Sequence, residues 1–315
     1  MPKFSVIIPL YNKERDIQKT LDSLLKQSFS DFEVIIVNDG STDNSEDVVK
    51  AINDFRINYF SKKNEGVGPT RNYGVEKATA EHIVFLDADD YWYPFHLENI
   101  NNITKKFPEA QWFATAYNKK HNKNLTTPMI SPILKKGDDW IGLVDDYFKH
   151  SLADALAWTS AVGMKKEFFK TLNGFDTTIT HGAGEDTDLW LRAALASPLA
   201  FSTKISATHN LDGSNRISNT HTLKRRYMDL DKYEAEGKKN PFLKQYLDLN
   251  RYSFAIQYKL AGDVVSFKEY VSKIDLKNLN AKQQKLLKQP KQVLKLMVKS
   301  KVLFEKFGVR LTAYK

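Results

Sequence analysis

A chain of 315 residues, 42% apolar and 12% aromatic, carries enough apolar material for one large folded domain, or for a domain with a substantial extension, and is excluded from the disordered class. It has no cysteine, which rules out disulfides and thiolate metal sites and fits a reducing compartment. The net charge of +9 is uneven: after residue 222 there are 22 Lys and Arg against 9 Asp and Glu, which leaves the first 222 residues at −4. Such a basic tail is either suited to an anionic surface, nucleic acid or lipid, or is a well-solvated lysine-rich extension.

The apolar run near the N-terminus is broken by Pro9 and is too short for a secretory signal. No stretch of about 18 apolar residues follows, so a cytoplasmic chain without a membrane span is expected. Phe4–Leu10 reads as a buried strand, and Glu14–Gln27 as an amphipathic helix with Ile17, Leu21, Leu24 and Leu25 on one face. Phe32–Asn38 is a second buried strand. The turn from Asp39 to Glu46 then offers Asp43 as an N-cap with Glu46 three residues on, and the helix continues through Val48 to Phe55. Asn58–Ser61 is a short strand, Asn64–Gly74 a glycine-containing loop leading into a helix, and Ile83–Leu86 the next buried strand. This alternation predicts an α/β class, with a Rossmann-like, mostly parallel sheet, helices on both faces and ligands at the C-terminal strand ends. From about 101 to 220 the pattern loosens, and from 223 to 315 it reads helical.

Three strand ends then share one edge of the sheet: Pro9–Asn12, Asn38–Ser41 and Asp87–Asp90. Asp87, Asp89 and Asp90 would repel one another without a positive neighbour. Either a hard divalent cation completes its shell there with diphosphate oxygens, or the acids cap a helix while Asp87 pairs with Arg71. Asp39 organises its turn or contacts a ligand. Arg71 sits in a loop that could wrap a nucleotide, or makes a structural ion pair; the glycines around it match neither the phosphate-loop nor the dinucleotide fingerprint. Glu185 and Asp186 open a helix bearing Leu189, Trp190 and Ala193. They are capping acids favoured by the helix dipole, or a general base for an acceptor hydroxyl. His209 is a third metal ligand or a hydrogen-bonded histidine. Trp140 and Trp158 are sugar-stacking platforms or core.

The stretches "SVIIPLYN", "VNDGSTDNS", "GPTRNYGVEKA", "IVFLDADD" and "GEDTDLWLR", in this order over residues 4 to 220, resemble the family 2 glycosyltransferases with the A-type nucleotide-sugar-binding fold. The resemblance implies an inverting hexosyl- or N-acetylhexosaminyltransferase that uses a nucleotide-diphosphate sugar, commonly a uridine one, with Mn²⁺ or Mg²⁺. It implies that Pro9 and Tyr11 line the nucleotide, that Asp39 contacts the base, that Arg71 helps hold the nucleotide and that Asp87 lies near the ribose or metal. It further implies Asp89 as a metal ligand with His209 beside it, and Asp186 as the catalytic base next to Glu185. Residues 1–222 would form the catalytic domain, with 1–100 the nucleotide half and 101–222 the acceptor half, before a basic helical region 223–315. The Gln-x-x-Arg-Trp motif of processive synthases is absent after the Glu-Asp pair, which favours adding one or a few sugars. Lys- and Asn-rich usage associates the chain with an AT-rich bacterial genome and with surface-polysaccharide assembly, on a glycan or lipid-linked glycan acceptor.

Two rivals are a sugar nucleotidyltransferase and a non-catalytic module binding an anionic surface or nucleic acid. The first calls for a glycine-rich loop after the first strand, which "PLYNKERD" does not have. The acids at both sites argue against the second, and no nucleic-acid partner is expected. In the tail, Pro290 to Phe307 reads as a helix stopped by Gly308, with Val293, Leu296, Met297, Leu303, Phe304 and Phe307 on one face. Lys291, Lys295, Lys299 and Lys306 gather opposite. Residues 290–307 therefore suit an anionic membrane surface, the catalytic domain or a second copy of the chain.

Overall fold

The computed structural model describes residues 1–217, 220–308 and 313. The continuous apolar runs form fully buried parallel strands. β1 (Phe4–Leu10) lies beside β2 (Phe32–Asn38), with Phe4 opposite Phe32 and Leu10 opposite Asn38. Between them α1 (Ile17–Leu25) buries Ile17, Leu21 and Leu24. The next helix, α2 (Ser45–Lys50), is shorter than its sequence suggests and ends before Phe55, which is exposed. Asp43 is not its N-cap; that position is Asn44, and Asp43 instead accepts from the amides of Ser45 and Glu14, tying α2 to the segment before α1. β3 (Ile57–Ser61) extends the sheet beyond β2.

The stretch read as a loop is largely helix. α3 (Val67–Lys77) contains Arg71 and carries Pro69 in its first turn, where a missing N–H breaks no intrahelical bond. β4 (His82–Phe85) pairs in parallel with β1. The second half then supplies β5 (Tyr91–Trp92), α4 (His96–Lys106), β6 (Trp112–Asn122), β7 (Leu125–Pro128), β8 (Ile141–Leu143), α5 (Tyr147–His150), β9 (Val162–Lys165), α6 (Lys166–Thr171), α7 (Glu185–Ala196) and β10 (Leu199–Asn210).

Among the described residues all strands join one sheet of order β3-β2-β1-β4-β9-β6-β10-β5, with β7 beside β6 and β8 beside β10. β9 runs antiparallel to both β4 and β6, and β6 runs parallel to β10. The C-terminal ends of β1, β2, β4, β6 and β10 therefore open on the same edge.

The C-terminal region is helical: α8 (Glu234–Gly237), α9 (Pro241–Ala261), α10 (Val264–Ser272), α11 (Ala281–Lys288) and α12 (Lys291–Lys306). Asn240 caps α9 by accepting from the amides of Phe242 and Leu243, with Pro241 at the first helical position. Leu243, Tyr246 and Leu247 of α9 join the main core, with Tyr246 packed on Phe148 of α5 at 5.5 Å. Farther along, Leu249, Tyr252 and Ala255 form a second core with Ile274, Leu279 and Leu287.

Candidate active site

Two of the three strand-end acids have positive partners, and each of the two has a different one. Arg71 Nη2 donates to Asp87 Oδ1 at 2.6 Å, and Lys13 Nζ donates to Asp89 Oδ2 at 2.6 Å and to the Ser214 carbonyl. Asp90 has no cation: it accepts from Ser160 Oγ at 2.6 Å and from the Asn210 amide at 2.8 Å. Burial, and then the charges of Asp89 and Asp87, push its carboxyl well above the usual range. Burial also raises Asp89, against the lowering effect of Lys13. Asp90 therefore staples the end of β10 to the acid turn, and Asp87 and Asp89 are the acids held by cations.

At the neighbouring strand end Asp39 is buried and accepts from Lys62 Nζ (3.1 Å) and from the amides of Glu65 and Gly66 (both 2.9 Å). Gly66 has φ +97°, a conformation that favours glycine and that aims its amide at the carboxylate. Pro9 lies in β1 opposite Val37, and Tyr11, just past the strand, is 41% exposed at the edge. Asn12 locks the two turns together, its amide donating to Ser41 Oγ and its side-chain oxygen accepting from the Thr42 amide.

The second group of acids opens α7. Gly184, at φ +102°, turns the chain into the helix, and an added Cβ there would lie 2.9 Å from Met228 Sδ. Glu185 is buried, with one carboxylate oxygen 4.0 Å from Arg71 Nη1 and the other without a hydrogen-bond partner. Burial, and next the charge of Asp186, push its carboxyl up to about 7 against the opposing pull of Arg71. Asp186 is less buried, and its Oδ1 accepts from the Thr187 amide at 2.7 Å. It lines a cleft of about 220 Å³ with Trp158, Lys119, His209, Leu211 and Tyr246.

The structure brings Asp87, Asp89, Arg71, Glu185, Asp186, Trp158 and His209 to one edge. Trp140 lies elsewhere: its amide donates to Thr203 Oγ1, in the half of β10 remote from His209. Sequence reasoning missed two residues of the site, Lys13 and Tyr246. Lys13 had a signal, since it follows the first strand end by three residues and the acids call for a cation. Tyr246 had none, because it comes from a helix beyond residue 222.

The donor types suit a hard divalent ion: two carboxylates and an imidazole that burial, and then Arg216, push down to about 3 and so keep neutral. Their arrangement here is a cation-paired one. Asp87 faces Arg71, Asp89 faces Lys13, and His209 stacks on Trp158 at 4.7 Å with Arg216 Nη2 3.3 Å from its Nε2. Among the described residues no three His, Asp or Glu are arranged to hold a metal.

A family model described as Glycosyl transferase family 2 matches residues 5–171. The chain belongs to that family. It is 27% identical over 235 residues to an uncharacterized glycosyltransferase of Rickettsia typhi, covering 74% of this chain and 70% of that protein. An uncharacterized glycosyltransferase of Rickettsia felis is 30% identical over 226 residues, 69% of this chain but 36% of its own length. The chain spans less than a third of several other relatives it matches. In fold it is similar to residues 1–349 of S. aureus TarS, at TM-score 0.56 and 19% identity, covering 86% of this chain and 90% of that one. A second TarS 1–349 structure, in complex with UDP-GlcNAc, matches at TM-score 0.55 and 18% identity over 90% of this chain and 78% of that one. At such identities the likeness carries the A-type fold alone, and it agrees with the mostly parallel sheet described above.

Proposed function

We propose that the chain is an inverting glycosyltransferase that moves a hexosyl or N-acetylhexosaminyl group from a uridine-diphosphate sugar to a hydroxyl of a glycan or lipid-linked glycan, in the cytoplasm, during surface-polysaccharide assembly. The observation that carries this reading is the bridge made by Arg71, 2.6 Å from Asp87 and 4.0 Å from Glu185. One buried guanidinium ties the strand-end acids, where a diphosphate would lie, to the turn that presents Asp186 to the cleft. An inverting displacement needs two such ends: somewhere for the leaving diphosphate's charge, and a base for the incoming hydroxyl on the opposite side of the sugar.

In this reading Asp186 takes the hydroxyl proton as the acceptor oxygen bonds to the anomeric carbon. The bond from that carbon to the diphosphate oxygen breaks on the other face, its electron pair leaves with the nucleotide, and the configuration inverts. Pro9 and Tyr11 line the nucleotide, Asp39 contacts the base and pins the 62–66 turn, Arg71 helps hold the nucleotide, and Asp87 lies near the ribose or metal. Mn²⁺ or Mg²⁺, held by Asp89 with Asp87 and His209, would supply charge neutralisation on the diphosphate. Trp158 is the sugar-stacking platform. The division into a catalytic domain of residues 1–222 and a helical region 223–315 is part of the proposal, with Tyr246 reaching back into the acceptor cleft. The uridine donor is supported by the UDP-GlcNAc complex of the structural neighbour.

Thermal shift tests the reading, because a ligand that binds only the folded state raises its melting temperature. Uridine nucleotide sugars should stabilise the protein more with Mn²⁺ than without it, and Asp89→Ala should remove that difference, read against the variant's own unliganded melting temperature. A variant that keeps the gain from Mn²⁺ overturns the role of Asp89. A wild-type protein stabilised by no nucleotide sugar overturns the donor class.

A further inference from the structure

α12 touches the rest of the chain at a few points along one edge, where Val298 and Val302 stay about half exposed. Leu294 is its buried residue, Lys291 Nζ donates to the Ala261 carbonyl at 3.2 Å, and the Glu305 carbonyl accepts from Asn122 Nδ2 at 2.9 Å. At 100° per residue these three positions fall within about 60° of one another. Val293, Leu296, Met297, Leu303, Phe304 and Phe307 fall in a sector about 120° wide on the opposite side. All six are exposed, from 39% at Val293 to 76% at Phe307. The apolar face that the sequence shows is therefore not the face that packs on the catalytic domain.

Charge selects the occupant. Lys295, Lys299 and Lys306 follow one another along one border of the apolar sector, and Lys301, 3.7 Å from Glu305, lies on the other border. The helix carries five lysines against Glu305 alone, within a region of net charge +13. A two-fold contact with a second copy would set two such helices against each other, lysine border to lysine border. An anionic lipid surface takes the apolar side chains into its headgroup boundary and meets the lysines with phosphate. No described helix is long and apolar enough to cross a membrane, so the contact is with a surface.

We propose that α12 is an interfacial helix that seats this protein on an anionic lipid surface. Its far end is bonded to Asn122 at the end of β6, the strand whose Lys119 lines the cleft, so the seated protein holds the cleft edge close to the lipid. The proposal does not depend on the identity of the donor or on the role of any acid.

Cosedimentation of the full chain with vesicles decides it, comparing equal parts phosphatidylglycerol and phosphatidylcholine with phosphatidylcholine alone. The wild-type protein should sediment with the anionic vesicles at least tenfold more strongly, and Leu296→Glu with Phe304→Glu should abolish that binding. Changing Lys295, Lys299 and Lys306 together to Gln should weaken it by about 10²-fold, since each lysine near an anionic surface contributes roughly fivefold. Both variants should melt at the wild-type temperature, because all five side chains are exposed. Equal binding to the neutral vesicles, or unchanged binding by either variant, overturns the proposal. It is also overturned if the glutamate variant converts a dimer to a monomer, which assigns the face to a second copy, or if that variant melts early, which assigns the face to this chain's own core.

Discussion

Two arginines, each buried in a helix and ringed by carboxylates, divide the molecule into a part that is finished and a part that is not. Arg251 of α9 is 1% exposed and bonded on both terminal nitrogens, to Asp248 at 3.2 Å, to Asp231 at 2.8 Å and to Glu234. Lys244 and Lys273 share the same acids, and among the described residues Nε is the one guanidinium nitrogen without a partner. Arg71 of α3 is nearly as buried, yet among the described residues it makes one short bond, to Asp87, and leaves Nε and Nη1 without hydrogen bonds; Nη1 lies 4.0 Å from one Glu185 oxygen, and the other Glu185 oxygen has no partner either. A buried polar atom without a partner costs stability. The helical region has closed such gaps almost completely, whereas the strand edge keeps several where the donor is proposed to bind. The difference separates an ion cluster that holds helices together from one proposed to receive a ligand.

The comparison is tested most strongly at Arg251. Arg251→Met leaves Asp248 fully buried with less compensating charge, and breaking a buried ion pair costs about 3–5 kcal/mol. Urea denaturation should show a loss of that order. Arg71→Met should cost less, about 1 kcal/mol, because Asp87 is partly exposed and burial pushes the Glu185 carboxyl up, so that less charge is left unpaired. Its larger effect should fall on nucleotide affinity, weakened roughly tenfold by loss of a charged hydrogen-bonding group. Equal stability losses at the two arginines would erase the distinction. Within the strand edge, Asp186→Asn keeps the shape of the side chain and removes the proton acceptor. Turnover should fall by about 10²-fold or more with donor affinity little changed. Near-normal turnover would move the role of base to Glu185 or Asp188.

The strand edge was legible in the sequence because β1, β2 and β4 are buried on both faces and therefore read as unbroken apolar runs. β6 and β10 were not legible, although each is more than ten residues long, because their buried positions include Thr115, Ser202, Thr203 and Ser206. Those hydroxyls are satisfied by one another, by α4 and by nearby backbone: Ser206 Oγ donates to Thr115 Oγ1 at 2.9 Å and sits 2.8 Å from His96 Nδ1, Ser202 Oγ donates to Asn99 at 2.9 Å, and Thr203 Oγ1 donates to the Gly137 carbonyl. Hydropathy registers the polarity and cannot register the partner. Arg71 shows the same limit in another form, since glycines and a proline around it suggested a loop where the chain forms a helix.

The smallest expected effect is the one that reads the unfinished part directly. Glu185 holds its proton up to about pH 7 in the folded protein, whereas an unfolded glutamate releases it near pH 4.5. Below about 4.5 both states are protonated and the group is neutral toward folding. Between about 4.5 and 7 the unfolded chain gives up its proton and the folded one keeps it. The unfolded state then binds fewer protons, and stability falls as pH rises through that window. Above about 7 the loss is complete. Glu185→Gln cannot titrate, so the melting-temperature difference between the variant and the wild-type protein should grow in the variant's favour across the window, by on the order of 2–5 °C. The charge of Asp186 is the second cause of the shift, after burial. In an Asp186→Asn background the upper end of the window should therefore move down in pH, and the gain from Glu185→Gln should shrink. A difference that stays flat from pH 4.5 to 7 in both backgrounds would mean that Glu185 ionises as an ordinary carboxylate, satisfied by Arg71, and that the strand edge is as complete as the cluster around Arg251.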